Sequence, residues 1–211
     1  MADIQVFPSS TAVLADIVGS RGADRPASHA ALLGAIDEAN ATVPQRDPLR
    51  VTVGDEVQGV YATPGEAFRA LFTLRAALDG VVDLRFGLGL GEVRVIDARR
   101  GIQDGDAWAA AREAVEAVEA AAREPGAHGL RVAVRGTIGN PLAEPLAQLV
   151  DAQLAALGDG PRASFWALRA GLDNRTAAKR LGVSPSANSQ RVTNNALRTL
   201  LAAVHALEAL S

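Results

Sequence analysis

Two short apolar runs, residues 49–53 and 57–61, are separated only by Gly54-Asp55-Glu56. A connection that short forces the runs to lie antiparallel as a hairpin, because a parallel return needs a dozen or more residues. The elements on either side then decide the fold. Upstream, residues 11–17 read as a buried strand, and residues 25–40 as a helix with Leu32, Leu33 and Ile36 on its apolar face. Downstream, Thr63-Pro64 opens a helix, threonine as cap and proline in the first turn. Ala67, Phe68, Leu71, Leu74 and Leu78 mark its buried side. Residues 84–90 form a strand that Gly91-Glu92 is expected to end, with extended chain resuming over 93–96. A polar stretch leads into a helix over 105–124, closed by Pro125-Gly126, and residues 130–134 supply a last strand. The order strand, helix, hairpin, helix, strand, helix, strand points to an α+β sandwich of the split βαβ, or ferredoxin-like, kind.

The remaining chain reads as helical. Residues 137–141 are linker-like, and a helix over 142–157 stops at Gly158-Asp159-Gly160-Pro161 before a compact helical module. The expected division is a ferredoxin-like domain over 1–136, a linker helix over 137–160 and an all-α module over 161–211. At 211 residues both domains can bury a core. The absence of cysteine excludes disulfides, zinc–cysteine centres and thiol catalysis. No basic-then-apolar leader is present and no apolar run reaches membrane-spanning length, so a cytoplasmic protein with no membrane partner is expected.

Charge is divided unevenly. The chain has a net charge of −3, yet from Asp159 onward it carries seven Arg or Lys against three acids. A basic module on an acidic body suits contact with nucleic acid through the module. Within it, residues 176–184 read as a helix, a Gly182 turn and a second helix opened by Ser184-Pro185. The second helix is expected to run on to the chain's end, with Val192, Ala196 and Leu200 stacked toward the core. Ser186, Ser189, Gln190, Arg191 and Asn194 are left to face base edges, and Arg175, Lys179 and Arg180 to lie near phosphates. An apolar stripe of Leu197, Leu200, Leu201, Val204 and Leu207 either buries internally or pairs with another protomer.

In the first domain, Asp16 ends an apolar run in LADIVGS, and Asp55 sits in the hairpin turn of VTVGDEV. Mg²⁺ prefers octahedral oxygen coordination by one or two carboxylates plus substrate phosphates, which two strand-end aspartates suit. Gly19, Ser20 and Arg21 form the bend after Asp16, whose amides are placed to cradle phosphate. Arg50 and Arg85 lie on neighbouring strands and suit a polyphosphate. In GIQDGDAW, Asp104 or Asp106 is expected to cap the following helix, and Trp108 either stacks on a base or joins the core.

LADIVGS, VGDEVQGVY and LRFGLGLGEV, in that order and spacing, resemble the class III nucleotidyl cyclase homology domain over roughly residues 12–112. The resemblance implies a ferredoxin-like palm, an active site at a dimer interface, Mg²⁺ or Mn²⁺ at Asp16, Ile17 and Asp55, and a triphosphate on the loop after the first strand. It places Gly87, Gly91 and Glu92 in the motif of the following strand. Two positions depart from the family pattern. Val51 stands where cyclases preferring adenine carry lysine. Trp108 stands where they carry an asparagine four residues before an arginine, the place of Arg112. A missing preorganised donor costs on the order of a hundredfold in rate, so the resemblance implies ligand binding in preference to cyclisation. Together with GIQDGDAW and the C-terminal helix-turn-helix, the chain resembles the SatD family of bacterial proteins.

That resemblance implies a homodimeric DNA-binding transcriptional regulator whose cyclase-like domain binds a nucleotide or related phosphorylated ligand with Mg²⁺. An active cyclase or other phosphoryl-transfer enzyme, and a non-catalytic dimerisation scaffold, remain alternatives.

Overall fold

The computed structural model describes residues 5–19, 25–52, 54–127, 129–136 and 139–211. Six strands form one sheet: β1 (Gln5–Ile17), β2 (Asp47–Val51), β3 (Val57–Tyr61), β4 (Leu84–Asp97), β5 (Ile102–Asp104) and β6 (Val132–Gly136). Three helices join them: α1 (Arg25–Thr42), α2 (Pro64–Ala77) and α3 (Asp106–Ala121). The strand order β2-β3-β1-β4, with every neighbour antiparallel, is the ferredoxin-like arrangement expected. β4 is long enough to serve two partners along one edge. Its first half pairs in parallel with β6 and its second half antiparallel with β5.

The fold is therefore a mixed α+β palm followed by helices: α4 (Ala143–Ala156), α5 (Asp159–Arg169), α6 (Asn174–Arg180), α7 (Pro185–Asn194) and α8 (Leu197–Glu208). No described helix is long and apolar enough to cross a membrane.

Helix α2 begins as its sequence dictates. Thr63 caps the Glu66 amide, Glu66 returns a bond to the Thr63 amide, and Pro64 occupies the first turn. The expected apolar face is buried, but Gly65, Ala70 and Phe72 are buried as well. Helix α2 lies between the sheet and the C-terminal helices, and the Gly65 amide donates to the Leu210 carbonyl. On α1 the buried stripe is Leu32, Ala35, Ile36 and Ala39, while Leu33 points to solvent.

Gly91-Glu92 does not end a strand, because β4 runs through both residues. The alternating glycines of LRFGLGLGEV have another cause. Phe86 and Leu88 are buried in the main core, and Gly87, Gly89 and Gly91 turn the other way, onto α3. A Cβ on Gly89 would stand 2.9 Å from the Ala111 Cα, and one on Gly91 2.9 Å from the Ala107 amide nitrogen. With Ala107, Ala111 and Ala114 fully buried opposite, the helix backbone packs directly on the strand.

The segment expected as one long C-terminal helix is broken. Ala196 adopts a left-handed φ of 49° and is exposed, separating α7 from α8. Thr193, Asn194 and Asn195 are weak helix formers, and the Asn195 side chain bonds back to the Arg191 carbonyl. The α8 stripe Leu197, Leu200, Val204 and Leu207 buries internally, within the same core as Phe72 and Phe165.

Candidate functional site

Register brings the two aspartate motifs to one end of the sheet. Asp16 stands opposite Arg85 on β4, and Ala15 stands opposite Val57, so the Gly54–Glu56 turn lies beside the end of β1. The glycine ladder of β4 then seats α3 close enough for its side chains to reach this end. Arg112 grips Glu56 through two nitrogens at 2.6 and 3.3 Å. Glu119 lies 3.2 Å from Arg85.

The charge balance here is acidic. Asp16 Oδ1 is 3.7 Å from Arg85 Nε, beyond hydrogen-bonding length, and the oxygen is buried without a hydrogen-bond partner among the described residues. Burial raises the Asp16 pKa above the usual carboxylate value; Arg85 opposes that shift, and Glu119, Asp55 and Glu56 add to it. Arg112 is held firmly charged by its hydrogen bond to Glu56. Among the described residues, Arg85 and Arg112 thus already serve carboxylates, and carboxylates remain in surplus.

A carboxylate oxygen with a long ion pair but no hydrogen bond, set among further acids, fits a divalent cation. Among the described residues no three carboxylate or imidazole groups converge to hold an ion unaided. Asp16 and Asp55 would therefore share an ion with oxygens brought by a ligand, the mode usual for Mg²⁺.

The other expected site residues divide. Ile17 is half-buried and pairs with Leu84 at the end of β1. Gly19 takes the left-handed conformation a tight bend needs, while Ser20 and Arg21 lie outside the described residues. Arg50 is not brought to Asp16. It pairs with Asp47, which also accepts from Gln103 Nε2 at 2.8 Å.

Among the described residues no side chain caps α3: Asp104 accepts from the Gly105 amide and Asp106 makes no cap bond. Trp108 packs half-buried on the small core between β1, β4 and α3, its indole N–H buried without a partner among the described residues. Glu56 and Glu119 were not singled out from sequence. Glu56 adjoins Asp55 in the motif itself, and Glu119 follows Arg112 by seven residues, two turns along one helix face.

In the C-terminal helices, Arg175, Lys179, Arg180, Ser186, Ser189, Gln190 and Asn194 are all exposed on α6 and α7. Arg191 is half-buried, its guanidinium turned to the Gly160 carbonyl. Gly182 takes φ 65° in the turn, and α6 is locked to α7 through Asn188, which donates to Asn174 at 2.9 Å.

No protein-family model matches the chain, and no curated protein matches it. Among solved structures it is similar, at 20% identity, to the catalytic core of a rhodopsin-guanylyl cyclase with converted specificity in complex with ATPalphaS. That match covers 53% of this chain and 74% of the other, with a TM-score of 0.38. A second is the monomeric guanylyl cyclase domain of the RhoGC fusion protein from the aquatic fungus Blastocladiella emersonii, at 20% identity over 53% of this chain and 77% of that one, TM-score 0.36. A third is the guanylyl cyclase Cya2, at 16% identity over 52% and 69%, TM-score 0.36. Likeness this distant says nothing of activity.

Proposed function

We propose that this chain is a SatD-like DNA-binding regulator whose palm binds a nucleotide or related phosphorylated ligand together with Mg²⁺. The observation that carries the reading is the Asp16 oxygen that, among the described residues, has only a long ion pair to Arg85 and no hydrogen bond, within a surplus of carboxylates. Asp16, Asp55 and the Ile17 carbonyl would hold the ion beside the bend at Gly19, and the ion would supply the positive charge that phosphates need. Arg85 and Arg112, each engaged by an acid, orient those acids and leave phosphate binding to the metal. Trp108, with no polar group reaching out, supports binding over turnover.

Helices α6 and α7 form the output, a helix-turn-helix module. Ser186, Ser189, Gln190 and Asn194 present donors and acceptors suited to base edges, and Arg175, Lys179 and Arg180 present charge suited to phosphates. Ligand occupancy in a homodimer changes the spacing of two such modules, and so their affinity for paired half-sites.

Calorimetry with ATP and GTP, with and without Mg²⁺, tests the ligand site. Binding is expected to need Mg²⁺ and to vanish in Asp16→Ala. Binding indifferent to chelator or to that substitution would sink the metal reading. Release of pyrophosphate in the same mixtures would favour the enzyme instead. Anisotropy with a mixed-sequence duplex across a salt series tests the output. Lys179→Ala and Arg180→Ala should each flatten the logarithmic salt slope by about 0.9, and an unchanged slope removes them from the DNA face.

A further inference from the structure

Asp55 stands on a turn, not on a strand. The last ladder pair of its hairpin is Val51 with Val57, so Gly54, Asp55 and Glu56 lie beyond the paired strands. The Thr52 amide donates to the Glu56 carbonyl at 2.8 Å to close the turn, and Gly54 takes a φ of 70° within it. Among the described residues no hydrogen bond or ion pair holds the Asp55 side chain itself. Its neighbour is gripped at two points. Both Glu56 oxygens accept from Arg112, at 2.6 and 3.3 Å, a bidentate pair that fixes direction as well as distance. The anchor is firm, because the backbone of Ala111, next to Arg112, lies directly against Gly89 of β4 and Ala111 is fully buried. A line of contact thus runs from the sheet, through α3 and the Arg112–Glu56 pair, to the turn that carries Asp55.

By charge alone, Glu56 works against an anionic Mg–nucleotide complex, at a sheet end that already has carboxylates in surplus. Held in place, however, it spares the turn the ordering cost of bringing Asp55 to an ion. Contacts one step behind a metal ligand set that ligand's orientation. We propose that Glu56 and Arg112 are positioning residues for Asp55: the pair ties the hairpin turn to α3 and presents the Asp55 carboxylate, and Arg112 acts through Glu56 without touching phosphate. The inference rests on the Asp16–Asp55 ligand site proposed above.

Calorimetry of the full chain with Mg–ATP and Mg–GTP tests this, and the sign of one substitution decides it. Glu56→Gln removes an acid and breaks the pair. Were Arg112 a phosphate ligand that Glu56 merely occupies, freeing it would tighten binding. Loss of a positioning residue should instead weaken binding by about tenfold or more. The melting transition should hardly move, because both side chains of the pair are partly exposed. Arg112→Gln should lose as much, and Arg112→Lys, which keeps one bond to Glu56, should recover part of that loss. The double variant Glu56→Gln with Arg112→Gln should bind no more weakly than either single one, since both break the same link. Binding unchanged or tighter in Glu56→Gln, losses that multiply in the double variant, or no recovery with lysine overturns the positioning role alone. A wild-type chain that binds neither complex overturns the ligand site and this role together.

Discussion

Asp16 is caught between a strand end that buries it and an arginine too far away to bond it. Because burial and neighbouring acids raise its pKa, the folded chain holds the Asp16 proton more tightly than the unfolded chain does. From the unfolded value of 3.8 upward, each step in pH therefore removes stability until the folded value is passed. Asp16→Asn abolishes that loss. Its melting temperature should match the wild type in strong acid and exceed it near neutral pH, as circular dichroism melts across the range would show. A wild type as stable as the variant at neutral pH would mean that Asp16 is well compensated. Saturating Mg²⁺ with nucleotide should raise the wild-type melting temperature and leave the variant where it was.

Gly89 belongs to the same scale. A methyl group there meets the α3 backbone, so Gly89→Ala should cost about 3 kcal/mol through forced displacement of the helix. Gly34→Ala, with open space around it on α1, should instead stabilise by about 1 kcal/mol. Denaturant midpoints of the two variants moving in the same direction would contradict this packing.

At the scale of elements, much of the palm was legible because each element announced itself locally. The short hairpin, the Thr63-Pro64 cap and the apolar face of α2 needed no tertiary information. What stayed hidden depended on partners remote in sequence. Gly91-Glu92 read as a stop; here Gly91, with Gly87 and Gly89, marks where α3 presses on the sheet, which only the packed pair reveals. Phe72 showed no reason to be buried until α8 covered that side of α2.

In the candidate site, the arrival of both aspartate motifs at one end of the sheet followed from strand order. The acids Glu56 and Glu119, and the diversion of Arg50 to Asp47, depended on side-chain geometry that spacing does not encode. The break at Ala196 was missed because an apolar stripe at helical spacing runs through it. A left-handed alanine costs about 1 kcal/mol. Ala196→Gly should therefore stabilise the chain, whereas in a continuous helix it would destabilise by a similar amount. The sign of the change in a denaturant titration decides between the two backbones.

For the whole molecule, the issue is how firmly the C-terminal helices are joined to the palm. Phe165 of α5, the α8 stripe and Phe72 of α2 belong to one continuous core. Polar contacts run along the same seam. Arg162 bonds Asp79 at 2.6 Å, and Arg169 reaches Glu208 at 2.7 Å while its guanidinium sits 5.9 Å from the Phe72 ring centre. Trp166 and Asp83 line a cleft on this seam, and the Asp83 backbone carbonyl accepts the Val18 amide, two residues beyond Asp16. A joint built this way transmits unfolding as well as position. Removing the Phe165 ring should cost about 3–5 kcal/mol and lower one cooperative melting transition shared by sheet and helices. Scanning calorimetry of Phe165→Ala would show this as a single displaced peak. Two peaks, with only the lower one moved, would mean that the C-terminal helices unfold alone and that the shared core does not couple them to the palm.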